Sequence, residues 1–108
     1  MERRPFIAVY MMANEPNGTL YIGVTSDLET RVNQHRSGEL GGFTKRHGLH
    51  RLVWYEQHES IVVAIQREKS LKKYKRDWKI NLIERENPQW EDLSRVWRGS
   101  TVWPEGLR

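Results

Sequence analysis

The stretch Phe6–Thr25, FIAVYMMANEPNGTLYIGVT, contains two runs rich in residues that favour β-strands. Between the runs stands NEPNG at residues 14–18, where Pro16 fixes its own φ angle and Gly18 can adopt a positive one. Such a cluster of turn residues between two β-rich runs is typical of a chain reversal. The stretch therefore predicts an antiparallel β-hairpin.

The two strands of this hairpin each present two faces, because side chains alternate along a strand. One face is aliphatic throughout and is expected to form the core. The opposite face carries Tyr10 and Tyr21 beside Gly23, whose missing side chain leaves room for a close approach. Two such tyrosines can also simply pack in a small core. The aliphatic residues are Ile7, Val9, Met11, Leu20, Ile22 and Val24.

A helix is expected directly after the hairpin. Ser26 and Glu29 have the spacing of a capping box, and Gly38 is suited to end the helix. Arg31 and His35 lie one turn apart beside the apolar stripe of this helix. An arginine there can lay its stem along apolar surface and keep its charge in water, so the position alone assigns no function.

A loop and a third strand are predicted next. Residues 37–50 are punctuated by glycines and carry the cations Lys45 and Arg46. A cationic loop suits a nucleic-acid backbone, although basic loops are also common on solvated surfaces. Residues 51–56 predict a strand. Strict alternation places Leu52, Trp54 and Glu56 on one face of it and Val53 and Tyr55 on the other.

A second helix is predicted from Ile61 to about Tyr74, capped by Ser60. Its apolar stripe includes a carboxylate, Glu68, at helical spacing. A carboxylate on a core-facing stripe is costly to bury unless it is paired or bound to a cation. Glu68 is therefore either half of an ion pair with an arginine or a ligand of a hard cation such as Mg²⁺. The apolar members of the stripe are Ile61, Ala64, Ile65 and Leu71.

A basic strip with interleaved aromatic residues follows. Its cations are Lys72, Lys73, Lys75 and Arg76. Tyr74 and Trp78 would stack on bases while the cations track phosphates, but a charged outer face also keeps any helix soluble. A third helix is expected to end before Asn87, and a last short helix to run from Pro88 through Trp97.

Composition limits the classes of protein. The chain has 108 residues, enough for one domain, predicted as residues 1–97 with a loose tail at 98–108. Its formal net charge of +4 favours an anionic partner. Without cysteine or a membrane-length apolar run, a cytoplasmic protein that does not contact a membrane is expected. The spacing of its histidines is not that of a zinc site.

The hairpin resembles that of the GIY-YIG nuclease superfamily, which is named for two tripeptides on its first two strands. Tyr21-Ile22-Gly23 matches the second tripeptide fully, whereas Ala8-Val9-Tyr10 keeps only the tyrosine of the first. The resemblance covers most of residues 6–83 and looks closest to small single-domain members, similar to the N-terminal nuclease domain of the repair excision nuclease. It implies an α+β fold with a small three-stranded antiparallel sheet flanked by helices.

The same resemblance implies roles for individual residues. Tyr10 would take a proton from a water, directly or through Tyr21, and Arg31 would clamp the scissile phosphate. His35 stands where several members carry a polar helper, and Glu68 would bind one Mg²⁺ or Mn²⁺ ion. Supporting positions are Gly23 and Asn81, and nucleic-acid contacts are expected from Lys45, Arg46, Lys72, Lys73, Lys75 and Arg76. A tyrosine of ordinary pKa, about 10, would need neighbouring cations to lower it, which predicts activity rising toward alkaline pH.

The expected function is metal-dependent hydrolysis of phosphodiester bonds in DNA, in repair or recombination. Either a partner protein directs the enzyme or it reads the structure of its substrate. Two alternatives stay open. The Ala8-Val9 departure is compatible with a catalytically weak nucleic-acid-binding module. The five tryptophans are compatible with a structural or protein-interaction domain, since Trp90, Trp97 and Trp103 fall in the last fifth of the chain.

Overall fold

The sheet is organised around its central strand, β1. The computed structural model describes residues 6–95, within which three strands form one antiparallel sheet of order β2-β1-β3. Strands β1 (Ala8–Ala13) and β2 (Leu20–Thr25) form the predicted hairpin, and β3 (Arg51–Gln57) pairs with the other edge of β1. Every residue of β1 is buried, because strands flank it on both edges and apolar clusters cover both of its faces.

Helices cover both faces of the sheet. They are α1 (Leu28–Ser37), α2 (Gly42–His47), α3 (Ile61–Lys72) and α4 (Arg76–Glu86). On one face, α3 and α4 bury Ala64, Leu71 and Ile83 against the aliphatic side of the hairpin. On the other face, α1 buries Leu28 and Val32 in the cluster that contains Tyr10. The α+β prediction is therefore confirmed, with a core on each side of the sheet rather than on the aliphatic side alone.

Two details of the local chain reversals differ from the prediction. In the hairpin turn it is Asn17, with φ 58°, that takes the left-handed conformation, while Gly18 N–H donates to the Glu15 carbonyl at 3.0 Å. Asparagine tolerates this region better than most residues. At the start of α1 the cap is Asp27, whose carboxylate accepts from the Thr30 amide and hydroxyl, and not Ser26.

Strand β3 contains a β-bulge that the sequence pattern did not indicate. Met11 of β1 pairs with Trp54 and the next residue, Met12, pairs with Leu52, so Val53 is the extra residue. The extra residue shifts the alternation by one position. Leu52 consequently packs with Tyr10, while Trp54 packs in the opposite cluster, and the prediction that these two share a face was wrong.

The second predicted helix is present as α3, capped by the Ser60 hydroxyl, which accepts from Val63 N–H. Of its predicted stripe only Ala64 and Leu71 are buried. Ile61 and Ile65 are exposed, because Ile61 lies in the first turn and Ile65 lies about 100° around the helix from Ala64. The stripe that meets the sheet is therefore narrower than predicted.

The segment after α4 is held by a side chain and not by helix formation. Residues 88–89 and 93–94 form turns and residues 90–92 have no regular secondary structure, so the short helix predicted from Pro88 is not present over residues 88–94. The buried Asn87 carboxamide donates to the carbonyls of Val53 and Glu91 and accepts from Glu91 N–H. The bond to Val53 holds the segment after α4 against β3. The predicted tail at 98–108, together with Trp97, lies outside the described residues.

Candidate active site

Tyr10 lies at the centre of a polar cluster beneath α1. Its side chain is fully buried, and its hydroxyl shares a 2.7 Å hydrogen bond with Nε2 of His35 on α1. The rings of Tyr10, Tyr21 and His35 are neighbours, with centroid distances of 6.2 Å between the tyrosines, 5.5 Å from Tyr10 to His35 and 5.1 Å from Tyr21 to His35. Three of the predicted site residues thus meet in one cluster.

Gly23 is the cross-strand partner of Tyr10. A Cβ atom at this position would lie 2.5 Å from the Tyr10 hydroxyl oxygen and 2.6 Å from Cζ. Such distances are too short for any side chain, so the glycine provides the space that the phenol occupies. The second tripeptide is therefore a packing requirement of Tyr10, which gives its glycine a physical explanation.

The first tripeptide departs from the family pattern without displacing the tyrosine. Ala8 is fully buried on the same face as Tyr10, and Val9 is fully buried in the opposite cluster. Both side chains fill core space that the two-sided sheet offers. The replacement of glycine and isoleucine by Ala8 and Val9 is thus accommodated by packing.

Arg31 and the cluster line an open pocket of about 300 Å³. Arg31 is half-exposed, whereas His35, one turn later on α1, is buried. The opposite side of the pocket is formed by residues 40–44, which lead into α2. The lining side chains and backbone belong to Tyr21, Arg31, His35, Leu40, Gly41, Gly42, Phe43 and Thr44. A half-exposed guanidinium beside buried proton-transfer groups is an arrangement that suits a phosphate group.

Burial sets the protonation of Tyr10. It raises the pKa of Tyr10 well above the ordinary value; the nearby Tyr21 phenol raises the pKa further, and the Arg31 guanidinium offsets only part of the rise. A tyrosine base would need neighbouring cations to lower this pKa. Arg31 does not lower it enough, because removing the phenolate from water is more unfavourable than the attraction of one cation is favourable. Tyr10 is therefore a neutral phenol at neutral and mildly alkaline pH.

His35 is held neutral by the same environment. Burial lowers the pKa of His35 to about 4, and the positive charge of Arg31 adds to this effect. Its Nε2 atom is occupied by Tyr10, whereas Nδ1 is buried and has no hydrogen-bond partner among residues 6–95. A buried polar atom without a partner is rare and calls for an explanation. A water or a substrate oxygen in the adjoining pocket would supply one.

Glu68 lies in a different layer of the molecule. It is on α3, which packs against β2 and β1, and it does not line the Tyr21–Arg31 pocket. Its side chain is 15% exposed and pairs with Lys72, at 3.4 Å, in place of the arginine that the sequence suggested. No group of three histidine or carboxylate side chains within residues 6–95 could hold a metal ion. Glu68 would thus have to bind a cation as a single carboxylate.

A lone carboxylate is compatible with Mg²⁺ under one condition. This ion is commonly held by one or two carboxylates, with substrate phosphate oxygens and waters completing the octahedron. The Lys72 partner is 54% exposed, and ion pairs of that kind contribute little, so the carboxylate can exchange partners. Glu68 can therefore bind a metal ion whose other ligands are substrate phosphate oxygens and waters.

The remaining predicted contacts are dispersed. Lys45 and Arg46 are exposed on α2, close to the pocket, and Lys72, Lys73 and Lys75 are exposed around the junction of α3 and α4. The Arg76 guanidinium donates to the carbonyls of Asn17 and Gly18 at 2.7 and 2.6 Å, so it fastens the hairpin turn to α4. Asn81 is exposed and lines a separate groove with Trp78 and Arg85. Their roles in binding stay predictions.

Sequence reasoning missed the helix α2 and the contribution of its neighbours to the pocket. Residues 37–50 were expected to be a loop, but Gly42–His47 form one short helix that packs on α1. Gly41 and Gly48 flank it with positive φ angles of 60° and 63°. This pair of glycines was the available signal, since glycine commonly stands where a short helix ends.

The fold and the cluster together define the class of protein. A family model described as the GIY-YIG catalytic domain matches residues 6–81, which is more than half of the chain. The protein belongs to the GIY-YIG family, and the resemblance of its hairpin is confirmed. Membership points to an endonuclease family and to a nucleic-acid substrate.

Within the relatives of this chain, the similar proteins include several UPF0213 proteins. Those of Staphylococcus aureus strains Mu50 and N315 are 38% identical over 69 residues, which are 63% of this chain and 83% of the relative. The solution NMR structure of a UPF0213 protein from Bacillus halodurans is 26% identical, with a TM-score of 0.51, and the match covers 84% of this chain and 96% of that one. These likenesses support a small GIY-YIG domain.

None of the helices within residues 6–95 is long and apolar enough to cross a membrane.

Trp90, one of the tryptophans compatible with a protein-interaction role, is 1% exposed, and its indole N–H donates to the Glu84 carboxylate at 2.8 Å. Trp90 is therefore a core residue and gives no support to that alternative.

Proposed function

We propose that the protein is a metal-dependent endonuclease that hydrolyses phosphodiester bonds in DNA. The observation that carries this proposal is the hydrogen bond between Tyr10 and a neutral His35, beside Arg31 on a single open pocket. Phosphoryl transfer requires a nucleophile to lose a proton and the phosphoryl charge to be stabilised. The cluster provides groups for both requirements.

The proton of the attacking water would leave through a chain of phenols. Tyr10 is fully buried, so a pocket water would contact Tyr21, which lines the pocket. The water would give its proton to the Tyr21 oxygen, Tyr21 would pass its own proton to Tyr10, and Tyr10 would donate to Nε2 of His35. His35 would become an imidazolium while the water oxygen bonds to phosphorus. No buried phenolate has to persist along this route.

The charge that develops on the phosphate also has to be stabilised. Arg31 is half-exposed at the pocket, where its guanidinium would pair with two phosphoryl oxygens. As the new P–O bond forms, the bond to the leaving sugar oxygen breaks and the leaving oxygen takes a proton from solvent. Glu68 would hold a divalent ion that supplies Lewis-acid stabilisation of phosphate charge. Because Glu68 does not line the pocket, this role requires the bound nucleic acid to extend from the pocket to α3.

We also propose a substrate, a cellular role and a location. DNA as substrate fits the net charge of +4 and the exposed cations of α2 and of the basic strip. We propose a role in DNA repair or recombination in the cytoplasm, with a partner protein as one means of targeting. The catalytically weak binding module stays the second candidate, because Lys73 and Lys75 of the basic strip are exposed at the surface, where a phosphate backbone can reach them.

The test is cleavage of supercoiled plasmid with Mg²⁺, Mn²⁺ or EDTA. Nicking is expected with either metal and not in EDTA, and Arg31→Ala and Glu68→Gln should each lose it. Glu59→Gln is the matched carboxylate control, because Glu59 is exposed in the connection between β3 and α3 and does not line the pocket. Full activity in Arg31→Ala would remove Arg31 from the site. Inert wild type with salt-sensitive DNA binding would favour the binding module.

A further inference from the structure

The pocket has a second side that the hydrolytic proposal does not use. Facing Tyr21, Arg31 and His35 are Leu40 and Phe43, and both are exposed to solvent, at 42% and 47%. Their neighbour Thr44 is buried and fixes α2 against the protein, so Phe43 is presented outward from an anchored helix. Exposed large apolar side chains at a pocket mark a binding surface when they are grouped.

The environment of Phe43 indicates what would bind it. The Phe43 ring contacts the His47 ring at a centroid distance of 4.4 Å and an interplanar angle of 47°, and Phe43 as a whole stays 47% exposed. Exposed cations, Lys45 and Arg46, stand on the same short helix, and Arg31 stands across the pocket. An exposed aromatic ring that shares its pocket with Arg31 is complementary to a nucleotide, whose base is flat and whose phosphate is anionic.

We propose that Phe43 is a stacking platform for an unpaired nucleobase next to the phosphate held by Arg31. This inference rests on the proposed function and deepens it, because it names a substrate class. Inside a duplex both faces of a base are covered by its neighbours, so a base can stack on Phe43 only after leaving the helix. The substrate is then a nucleic acid with single-stranded, frayed or flapped nucleotides at the cleaved bond.

Binding without cleavage is the first test. The probes are single-stranded DNA and RNA oligonucleotides that contain 2-aminopurine, mixed with protein in EDTA. Stacking on Phe43 should quench the fluorescence, and Phe43→Ala and Phe43→Leu should abolish the quench and weaken binding about ten-fold to 100-fold. Phe43→Trp should retain both. A Phe43→Leu protein that binds and quenches as wild type does would overturn the proposal, because leucine keeps the apolar contact and lacks the ring.

Val62→Ala is the control, since Val62 is also exposed and apolar but lies on α3 and does not line the pocket. We expect it to leave the quench unchanged, and an equal loss in Val62→Ala and Phe43→Ala would contradict a specific stacking role. The folding of each variant is checked by thermal unfolding. Both residues are too exposed for their truncation to open the core.

The second test compares substrates in Mg²⁺. A flush duplex, the same duplex with a single-stranded flap, and the isolated strand are digested by wild type and Phe43→Ala. Loss confined to the flap and the single strand supports the platform, whereas equal loss on the flush duplex overturns the substrate class. Phe43-dependent quenching without any cleavage would refute the hydrolase and keep the platform. Cleavage that is unchanged in Phe43→Ala would keep the hydrolase and refute the platform. A wild-type protein that neither binds nor cleaves would refute the hydrolase and the platform together.

Discussion

The environment of His35 predicts a measurable dependence of stability on pH. An unfolded histidine binds a proton below its ordinary pKa of about 6.5, whereas folded His35 binds one only below about 4. Between these values the unfolded state binds more protons, so acidification favours unfolding. The free energy of unfolding that is lost through His35 is close to zero above pH about 7. It grows to about 2 kcal/mol at pH 5 and about 3 kcal/mol at pH 4.

The perturbation that isolates this effect is His35→Gln. Glutamine does not titrate, yet its carboxamide can still hydrogen-bond the Tyr10 hydroxyl. Urea unfolding of both proteins at pH 7, 6, 5 and 4 gives two free-energy curves, in which every other titrating group contributes equally. The wild type should lose about 2 kcal/mol more than the variant between pH 7 and pH 5.

Three results would refute this reasoning. Parallel curves for wild type and His35→Gln would mean that His35 titrates alike in both states, and that the polar cluster is open to water. An NMR titration of the His35 ring gives an independent value, and a pKa near the ordinary one would have the same meaning. A steeper loss in the variant would show that His35 is charged when folded.

Further substitutions test the packing around the cluster. Tyr10→Phe leaves Nε2 of buried His35 without a partner, so we expect a loss of about 1–3 kcal/mol in urea unfolding and no plasmid nicking; retained nicking would exclude the phenol chain. Gly23→Ala forces the Tyr10 ring to move and should cost about 1–3 kcal/mol with lower activity, and an unchanged melting temperature would contradict the packing described. Asn87→Ala strands the Val53 carbonyl and should cost about 1–3 kcal/mol while leaving DNA binding intact; the opposite pattern would mean that this segment contacts DNA.

The structure predicts a flat dependence of activity on pH, in place of the rise toward alkaline pH expected from the sequence. Because resting His35, with a pKa of about 4, is neutral and resting Tyr10 is a phenol over this whole range, initial nicking rates should be flat from pH about 6 to 8.5. A log-linear rise over that range would show that a phenolate is the base. Arg31→Ala protein, assayed in parallel, gives the background rate.

Much of the fold was accessible from local patterns. The hairpin, the third strand and three of the helices follow from period-2 and period-3.6 spacing and from caps, which depend on neighbours in sequence. The shared face of Tyr10 and Tyr21 is a consequence of strand alternation. The one-turn spacing of Arg31 and His35 likewise places both on one side of α1.

What escaped prediction depends on contacts between distant segments. The bulge at Val53 is fixed by how β3 pairs with β1, and the Tyr10–His35 bond joins residues 25 apart in the chain. The upward shift of the Tyr10 pKa was not predicted, because burial beneath α1 cannot be read from a sequence. The short helix α2 has too few residues for a periodic signal, although it supplies Phe43.

The two-sided burial of β1 has a consequence for how this protein can vary. All six positions of the strand face one core or the other, so saturation mutagenesis should find almost no neutral substitution there. Helix α2 is the contrary case, with most of its side chains in solvent and a glycine at each flank. Selection for a new substrate would therefore act through the sequence of α2 while the strand that holds Tyr10 stays fixed.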